Sequence, residues 1–281
     1  MVFREQQSLK KKFSHYTLKG MKIGFVPTMG ALHQGHLSLV EKALKENKIV
    51  VVSIFVNPTQ FDNSSDLKKY PRTLNEDVAL LNTLKGTILV YAPDASDLYG
   101  TEVKSKHYNF GGIENQMEGK YRKGHFDGVG TVLNLLFRAI EPNNAYFGEK
   151  DFQQLQIVKK LVEIEKLPIN IIGCSILRES HGLAMSSRNK RLTKTQFKEA
   201  SLIHATLKDV QRNFDKETIP NLHKSVAAQF SKNEHLELEY FEIAAEKNLK
   251  PAKRKRKENR YRAFIAVFAG EIRLIDNIAL N

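Results

Sequence analysis

The sequence has 281 residues, 41% hydrophobic and 27% charged, a composition typical of a globular protein with a substantial buried core. Its apolar runs, such as residues 49–52, are too short to cross a bilayer, and the first residues lack the apolar core of a secretion signal. The single cysteine, Cys174, excludes an internal disulfide framework and a cysteine-rich metal site. These features predict a cytoplasmic protein without a membrane partner.

The formal net charge of +13 at pH 7 suits nucleic acid, an anionic membrane surface or small substrates rich in phosphate. The densest basic run, residues 250–262, separates two strand-like segments and has no regular interleaving of aromatic residues. This arrangement favours a solvated hairpin loop over a nucleic-acid surface. An RNA-binding protein is therefore the less favoured alternative, and we expect no nucleic-acid partner.

From residue 22 onward the apolar pattern predicts strands that alternate with helices. Segment 48–56 is apolar and largely β-branched, which is typical of a strand covered on both faces of a parallel sheet. Such a series predicts the α/β fold class, with a mostly parallel sheet and right-handed crossovers. In chain order, the predicted elements are a strand at 22–28, a helix at 34–47, a strand at 48–56, a helix at 71–84, a strand at 87–93, a helix at 128–140, a strand at 144–148, a helix at 151–166 and a strand at 169–177.

The pattern changes after residue 190. Helices are predicted at 193–214 and 219–230, and three strand-like segments follow, "HLELEYFEIA", "RAFIAVFAG" and "EIRLIDN". This order predicts a smaller α+β domain with an antiparallel sheet. We therefore divide the chain into domains at residues 1–177 and 178–281.

Several nucleotide and hydrolase motifs are absent from the sequence. No G-x-G-x-x-G follows a strand, and no G-x-S-x-G is present. Residues 111–121 end in a Gly-Lys pair, but the glycine spacing is wrong for a P-loop, and Tyr121 stands where magnesium needs Ser or Thr. His33 and His36 have no acid in the arrangement of a zinc protease.

The "HQGH" segment opens a predicted helix directly after a strand. A helix N-terminus has unpaired N–H groups and a partial positive charge, which makes it a natural phosphate site. His33 and His36 are three residues apart, so they share one side of the first turn. Gly30 and Gly35 let the backbone approach an anion closely. The position alone leaves a second interpretation open, in which both histidines are surface residues near a helix cap.

Two further loops after strands carry groups suited to phosphate. "GEKD" (148–151) places Lys150 where a helix begins, and "GLAMSSRN" (182–189) offers two hydroxyls and a guanidinium. Taken singly, the first fits a surface lysine and the second a capped turn. Because ligands of parallel sheets bind at the carboxyl ends of strands, the agreement of three such loops predicts a phosphate-rich ligand.

Six segments together resemble the pantothenate synthetase (pantoate–β-alanine ligase) family: "VPTMGALHQGHLSLV", "SIFVNPTQF", "YPRTLNED", "GHFDGVGTV", "FGEKDFQQL" and "GLAMSSRN". They occur in the family's order and extend to "EIRLIDN", so the resemblance covers nearly the full chain. It implies a Rossmann-like domain that binds ATP and pantoate, with a smaller C-terminal lid domain, in a homodimer. The implied reaction forms pantoyl adenylate and pyrophosphate from ATP and pantoate. The β-alanine amine then displaces AMP to give pantothenate.

The resemblance also implies roles for individual residues. His36, as proton donor, His33 and Lys150 are the expected catalytic groups. Magnesium is expected with ATP; its ligands are unknown, and Glu76 and Asp77 are candidate acidic neighbours. Gln60 and Gln154 are expected to contact substrate, and Asn57, just after a strand, is a further candidate. The expected ATP-binding residues are Met29, Gly30, Ala31, Leu32, His33, Gln34, Gly35, His36, Gly148, Glu149, Lys150, Asp151, Leu177, Met185, Ser186, Ser187 and Arg188.

Helical spacing distinguishes the two adjacent glutamines. Lys150 and Gln154 are four residues apart and would share one helix face, whereas Gln153 would face elsewhere. The sequence departs from the family pattern at Lys123, where proline is common, and at His181, where aspartate is usual. A rival enzyme, a nucleotidyltransferase that adenylates another small substrate, would share the two histidines but would not account for Gln60 and Gln154.

Overall fold

The computed structural model describes residues 1–17, 20–61 and 64–281. Within these ranges six parallel strands form one sheet. They are β1 (Val2–Phe3), β2 (Ile23–Thr28), β3 (Ile49–Ile54), β4 (Thr87–Tyr91), β5 (Asn144–Gly148) and β6 (Asn170–Cys174). Their order across the sheet is β1-β4-β3-β2-β5-β6. The predicted parallel α/β sheet is confirmed, and β1 is a strand that the apolar pattern did not predict.

The direction in which successive strands are added to the sheet reverses between β2 and β5, although all six strands are parallel. From β2 the chain runs outward through β3 and β4, whereas β5 and β6 lie on the other side of β2. In open α/β sheets, ligands bind beyond the carboxyl ends of the strands at such a reversal. The two segments that leave this point begin at Met29 and Glu149, which are both among the predicted ATP-binding residues.

Helices connect the strands of this sheet. They are α1 (Gln6–Thr17), α2 (Gln34–Glu46), α3 (Ser64–Lys69), α4 (Leu74–Leu81), α5 (Ala95–Tyr99), α6 (Met117–Tyr121), α7 (His125–Ile140) and α8 (Phe152–Ile164). The helix predicted at 71–84 is shorter in the structure, because Thr73 has φ −127° and ψ 46°, outside the helical region. The helix predicted from residue 151 begins one residue later, after a 3₁₀ turn at Glu149–Asp151.

The C-terminal part contains α9 (Lys194–Glu199), α10 (Ser201–Asn213), α11 (Ile219–Phe230), β7 (Glu237–Ala245), β8 (Tyr261–Ala269) and β9 (Ile272–Ala279). The three strands are antiparallel in the order β7-β8-β9, as predicted for this region. The helical segment predicted at 193–214 is confirmed, and a single residue, Ala200, divides it into α9 and α10.

The described residues form two compact units. One contains residues 1–149 and 154–175, and the other contains residues 150–153 and 176–281. The second unit has its own apolar core, in which α10 and α11 pack with the antiparallel sheet. In the described ranges every helix is too short or too polar to pass through a bilayer.

Candidate active site

The segment after β2 makes a sharp left-handed turn before α2 begins. Gly30 has φ 84° and Ala31 has φ 50°, a region that a residue with a side chain rarely adopts. The amide of Gly30 donates to the hydroxyl of Thr28 (3.2 Å), which itself donates to the carbonyl of Ser53 (2.7 Å). The turn is therefore fastened to the ends of β2 and β3.

Asp77, in the first turn of α4, holds the same turn from the other side. Its carboxylate accepts from the amides of Ala31 (3.0 Å) and Leu32 (2.7 Å), and Thr73 donates its hydroxyl to it (3.3 Å). Asp77 is only 2% exposed. Charge-assisted bonds of this kind are about twice as strong as neutral ones. The observed role of Asp77 is thus to anchor the turn, whereas Glu76, its predicted companion near magnesium, is exposed.

The two histidines form a capping box at the start of α2. His33 is the N-cap residue, one position before the helix, and not a residue of the first turn as predicted. Its Nδ1 accepts from the amide of Gly35 (3.1 Å), and Nδ1 of His36 accepts from the amide of His33 (3.2 Å). The ring centroids are 4.0 Å apart. This box normally uses Ser or Thr with Glu or Gln.

The capping box fixes the tautomer of both imidazoles. Because each Nδ1 accepts a backbone N–H, the neutral ring carries its proton on Nε2. Each histidine is therefore arranged as an Nε2–H donor at a helix N-terminus, where anions are favoured. This arrangement combines the two interpretations that the sequence left open, since the histidines cap the helix and also offer donors.

A 3₁₀ turn (Pro58–Gln60) follows β3; Gln60 is its last residue, and Asn57 is the N-cap residue before it. Asn57 is 1% exposed, and both ends of its amide are bonded inside the protein. Nδ2 donates to Gln60 Oε1 (3.1 Å) and to the carbonyl of Gly128 (3.2 Å), and Oδ1 accepts from the phenol of Tyr99 (2.6 Å). Burial raises the pKa of Tyr99, which keeps this phenol a donor. Asn57 was predicted to contact substrate. In the structure its amide hydrogen bond holds the side chain of Gln60 in position.

Gln60 joins the predicted substrate region to the predicted ATP region. Its Nε2 donates to Sδ of Met29 (3.1 Å), a weak acceptor. Its backbone carbonyl accepts from Nδ1 of His125 (2.9 Å) and from Arg122 (3.4 Å). Neither Arg122 nor His125, both in segment 122–126, was predicted from the sequence to contribute to the site. Lys123, the departure from the family pattern in this segment, is exposed.

Lys150 lies in the 3₁₀ turn and not in α8, so regular α-helical spacing does not link it to Gln154. Its ammonium pairs with Asp151 (3.6 Å), and its carbonyl accepts from Nδ2 of Asn277 (2.9 Å). Gln153 is 4% exposed, whereas Gln154 is partly exposed. Gly148 ends β5 and has open space where a side chain would begin.

The substrate contact that the resemblance implies for Gln154 predicts that Gln154→Ala slows the pantoate-dependent rate by roughly 10- to 100-fold, the effect of leaving a substrate polar group unpaired. Gln153→Ala is expected to keep its activity per folded molecule and to lose stability instead, because Gln153 is buried. Steady-state rates and urea unfolding of the two variants provide the measurement. Equal losses of pantoate-dependent rate would contradict the assignment of Gln154.

The third predicted loop is a narrow turn that leads to Ser186. The amide of Met185 donates to the carbonyl of Leu177 (3.0 Å), and the side chain of Leu177 is 40% exposed. Ser186 caps the 3₁₀ turn Ser187–Arg191 by accepting from the amide of Arg188 (3.3 Å). His181, the second departure from the family pattern, donates from Nε2 to the carbonyl of Phe197 (2.9 Å).

His204 lies under this turn, and a Cβ added to Gly182 would stand 2.9 Å from its Nδ1. Burial, and then the charge of Arg178, lower the pKa of His204 below its ordinary value of 6.5, against the opposite effect of Asp276. As the pH falls below 6.5, the unfolded chain binds a proton at this histidine before the folded protein does. The contribution of His204 to the free energy of unfolding is therefore fully present above pH 6.5 and decreases as the pH falls. We expect His204→Gln to lose less stability than the wild type between pH 7.5 and 5.5 in urea unfolding. His223, whose pKa burial lowers, and His107, whose pKa the hydrogen bond to Asp127 raises, stay in both proteins and contribute to the remaining slope. An unchanged slope would contradict this prediction.

A family model described as pantoate–β-alanine ligase matches residues 1–279. The chain belongs to the pantoate–β-alanine ligase family. The pantothenate synthetase of Christiangramia forsetii is 54% identical over 280 residues, which cover 100% of this chain and 99% of that protein. The pantothenate synthetase of Flavobacterium psychrophilum is 51% identical, with full coverage of both chains (100% and 100%). The resemblance of the six sequence segments to this family is therefore confirmed.

Solved structures of pantoate–β-alanine ligases share the fold. The pantothenate synthetase of Thermus thermophilus has a TM-score of 0.90 and 34% identity, with 99% of each chain covered. The pantoate–β-alanine ligase of Francisella tularensis has a TM-score of 0.79 and 36% identity, with 100% of this chain and 97% of that chain covered. The Francisella protein was solved in a complex with β-γ ATP and β-alanine.

Proposed function

We propose that the protein joins pantoate and β-alanine in an ATP-dependent reaction that passes through pantoyl adenylate and releases AMP and pyrophosphate. The observation that carries this proposal is the contact of Gln60 with Met29, next to the histidine capping box. This contact joins a side chain suited to pantoate to the segment that leads into a helix N-terminus suited to phosphate, which supports the proposal. Family membership and the ligands of the Francisella enzyme support the same substrates.

In the first step a carboxylate oxygen of pantoate attacks the α-phosphorus of ATP. The bond to the bridging oxygen breaks, and pyrophosphate leaves with the electron pair. Negative charge grows on the α-phosphate oxygens, and we assign the Nε2–H groups of His33 and His36 and the ammonium of Lys150 as donors to it. Preorganised donors of this kind stabilise a transition state by about 3 kcal/mol each. The hydroxyls of Ser186 and Ser187 and the guanidinium of Arg188 are assigned to the outgoing phosphates.

In the second step the amine of β-alanine attacks the acyl carbon of pantoyl adenylate. The bond between that carbon and the phosphate oxygen breaks, AMP departs, and the nitrogen releases a proton. Gln60 and Gln154 are assigned to the hydroxyls and carboxylate of pantoate, since an amide offers both a donor and an acceptor. Asn57 has a supporting role, because its amide holds Gln60 in place.

Magnesium is the metal expected with ATP. No group of three His, Cys, Asp or Glu side chains in those ranges is placed to hold a metal ion. Asp77 uses its carboxylate for backbone amides, and Glu76 is exposed. Magnesium is commonly bound largely by substrate phosphates and water. We therefore assign no protein ligand and no step to it.

A cytoplasmic location and a homodimer follow from the resemblance and complete the proposal. The C-terminal part, residues 178–281, is proposed as the lid of the ATP- and pantoate-binding part at residues 1–177. Sedimentation equilibrium of the purified full chain tests the dimer directly. A mass equal to the 32.1 kDa chain at micromolar concentration would contradict it.

The deciding experiment is ATP-dependent coupling of pantoate to β-alanine, with AMP and ADP measured separately. We expect AMP and pyrophosphate in equal amounts, and a rate about 100-fold lower for Lys150→Ala. Formation of ADP would contradict the mechanism. Exchange of pyrophosphate into ATP without pantoate would favour another nucleotidyltransferase.

The RNA-binding alternative has its own test. Residues 253–260 between β7 and β8 are mostly exposed, and Lys255 donates to the carbonyls of Asp215 and Glu217 near the end of α10. We expect only weak RNA binding that salt abolishes. Sequence-specific RNA binding that disappears when the basic residues are replaced would favour that alternative.

A further inference from the structure

Two neighbouring polar residues of β9, Asp276 and Asn277, are buried. They are 3% and 2% exposed, although β9 is an edge strand of the antiparallel sheet. Burial of polar groups is unfavourable unless they are hydrogen-bonded, so both side chains need partners. Because successive side chains of a strand point to opposite faces, these two reach different parts of the second unit.

Asp276 holds the turn that precedes Ser186. Its carboxylate accepts two bonds from Arg178, at 2.6 and 3.0 Å, in a fork-to-fork ion pair. The same guanidinium donates to the carbonyl of Gly182 (3.0 Å). Arg178 thereby links β9 to both ends of the turn, and the chain continues from this turn into Met185.

Asn277 holds Lys150 on the opposite face. Its Nδ2 donates to the carbonyl of Lys150 (2.9 Å), and its Oδ1 accepts from Arg262 (2.7 Å). The guanidinium of Arg262 lies 3.9 Å above the ring of Phe152, two residues after Lys150, and is paired with Glu246 (2.8 Å). The segment that carries Lys150 is thus fixed to the sheet by both a hydrogen bond and a stacked ring.

We propose that Asp276 and Asn277 are positioning residues for ATP. From opposite faces of β9 they hold the two segments of the second unit, Lys150 and 185–188, that are assigned to the phosphates of ATP. This inference rests on the proposed function. Neighbouring residues of a strand are about 3.3 Å apart, so the strand fixes the spacing of the Lys150 and 185–188 segments. An error of about 1 Å in such a spacing costs roughly 10²-fold in rate.

The proposal separates the two steps of the reaction. Adenylation uses the full triphosphate, whereas pyrophosphate has left before the β-alanine amine attacks. A displaced 185–188 segment therefore affects the first step and the affinity for ATP, and it spares the second step. A displaced Lys150 affects both steps, because the α-phosphate to which it is assigned stays in pantoyl adenylate. General loss of structure would lower both steps together.

Three variants and one control test the proposal. Asp276→Asn removes the charge that pairs with Arg178. Arg178→Lys replaces the two-bond guanidinium pair with a single ammonium. It tests the role of Asp276 if Asp276→Asn does not fold. Asn277→Asp keeps an acceptor for Arg262 but removes the donor to Lys150. The control is Glu239→Gln. It weakens the ion pair between Glu239 on β7 and Arg273 on β9 (2.9 Å), and this ion pair contacts neither of the two segments.

Three readouts are measured on the full chain: ATP affinity by calorimetry, pantoate-dependent exchange of pyrophosphate into ATP, and β-alanine-dependent release of AMP from supplied pantoyl adenylate. All three variants are expected to bind ATP about 10-fold more weakly and to exchange about 10- to 100-fold more slowly. AMP release is expected to stay within about 2-fold of the wild type for Asp276→Asn and Arg178→Lys, and to fall about 10-fold for Asn277→Asp. Glu239→Gln is expected to match the wild type in all three. Wild-type ATP affinity in folded variants, or equal losses in both steps for Asp276→Asn or Arg178→Lys, would overturn the proposal. Failure of exchange in the wild type refutes the proposed function alone, because ATP affinity still tests the positioning role.

Discussion

Replacing His36 with glutamine is expected to slow adenylate formation by about 10²-fold without changing the midpoint of urea unfolding. Glutamine is a usual partner in a capping box, so its side chain can accept the His33 amide in place of Nδ1. Its NH₂ group can still donate a hydrogen bond, but an amide cannot give up a proton as an imidazole does. Loss of rate without loss of stability would therefore isolate the chemical role of His36.

His36→Ala provides the comparison, because it removes both the donor and the cap. We expect the same loss of rate as for glutamine, together with a loss of about 1 kcal/mol in the free energy of unfolding. Pantoate-dependent pyrophosphate exchange and urea unfolding supply the two measurements. If His36→Gln keeps the wild-type rate, His36 serves the helix and not the reaction.

His33→Ser is the matched variant on the other histidine. Serine is among the preferred N-cap residues, so it can accept from the Gly35 amide as Nδ1 of His33 does. We expect a smaller effect on adenylate formation, about 10-fold, because His33 is the cap itself and His36 is the proposed proton donor. A larger loss of adenylate-forming rate for His33→Ser than for His36→Gln would assign the main catalytic role to His33.

Local patterns predicted most of the fold. The five buried residues 49–53 are a run of Ile and Val ending in Ser, and no amphipathic helix produces such a run. Helix α11 has the predicted bounds because Thr218 caps it and Pro220 follows at its start. Helix α1 was missed because its buried face rests on Leu9 and Phe13 within a mostly polar stretch.

The site was predicted by residue type and position, and its internal contacts were not. Asp77 reads as an ordinary first-turn acid, since its partners Ala31 and Leu32 are 46 and 45 residues away in the chain. The amide of Asn57 similarly reaches Gly128 across 71 residues. Hydrogen bonds between such distant segments depend on the three-dimensional arrangement, so no local pattern indicates them.

Replacing Asp77 with asparagine is expected to be the most damaging single change outside the proposed contact residues. Asparagine keeps one acceptor but presents an NH₂ group to a backbone N–H, so one of the amides of Ala31 and Leu32 is left unpaired. Loss of a bond to a buried charge costs about 1.5–3 kcal/mol. The left-handed turn then shifts, and with it the histidine capping box. We expect adenylate formation to fall by about 10²-fold.

Glu76→Gln is the control, since it removes the neighbouring carboxylate, which is exposed. We expect it to match the wild type in stability and in rate. Titration with magnesium separates anchoring from metal binding. An anchor changes the maximal rate and the unfolding midpoint but leaves the magnesium concentration at half-maximal rate unchanged. If Asp77→Asn raises that concentration about 10-fold or more at wild-type stability, Asp77 acts on the metal, and the anchoring role is wrong. The bonds that Asp77 makes to two backbone amides favour the first result.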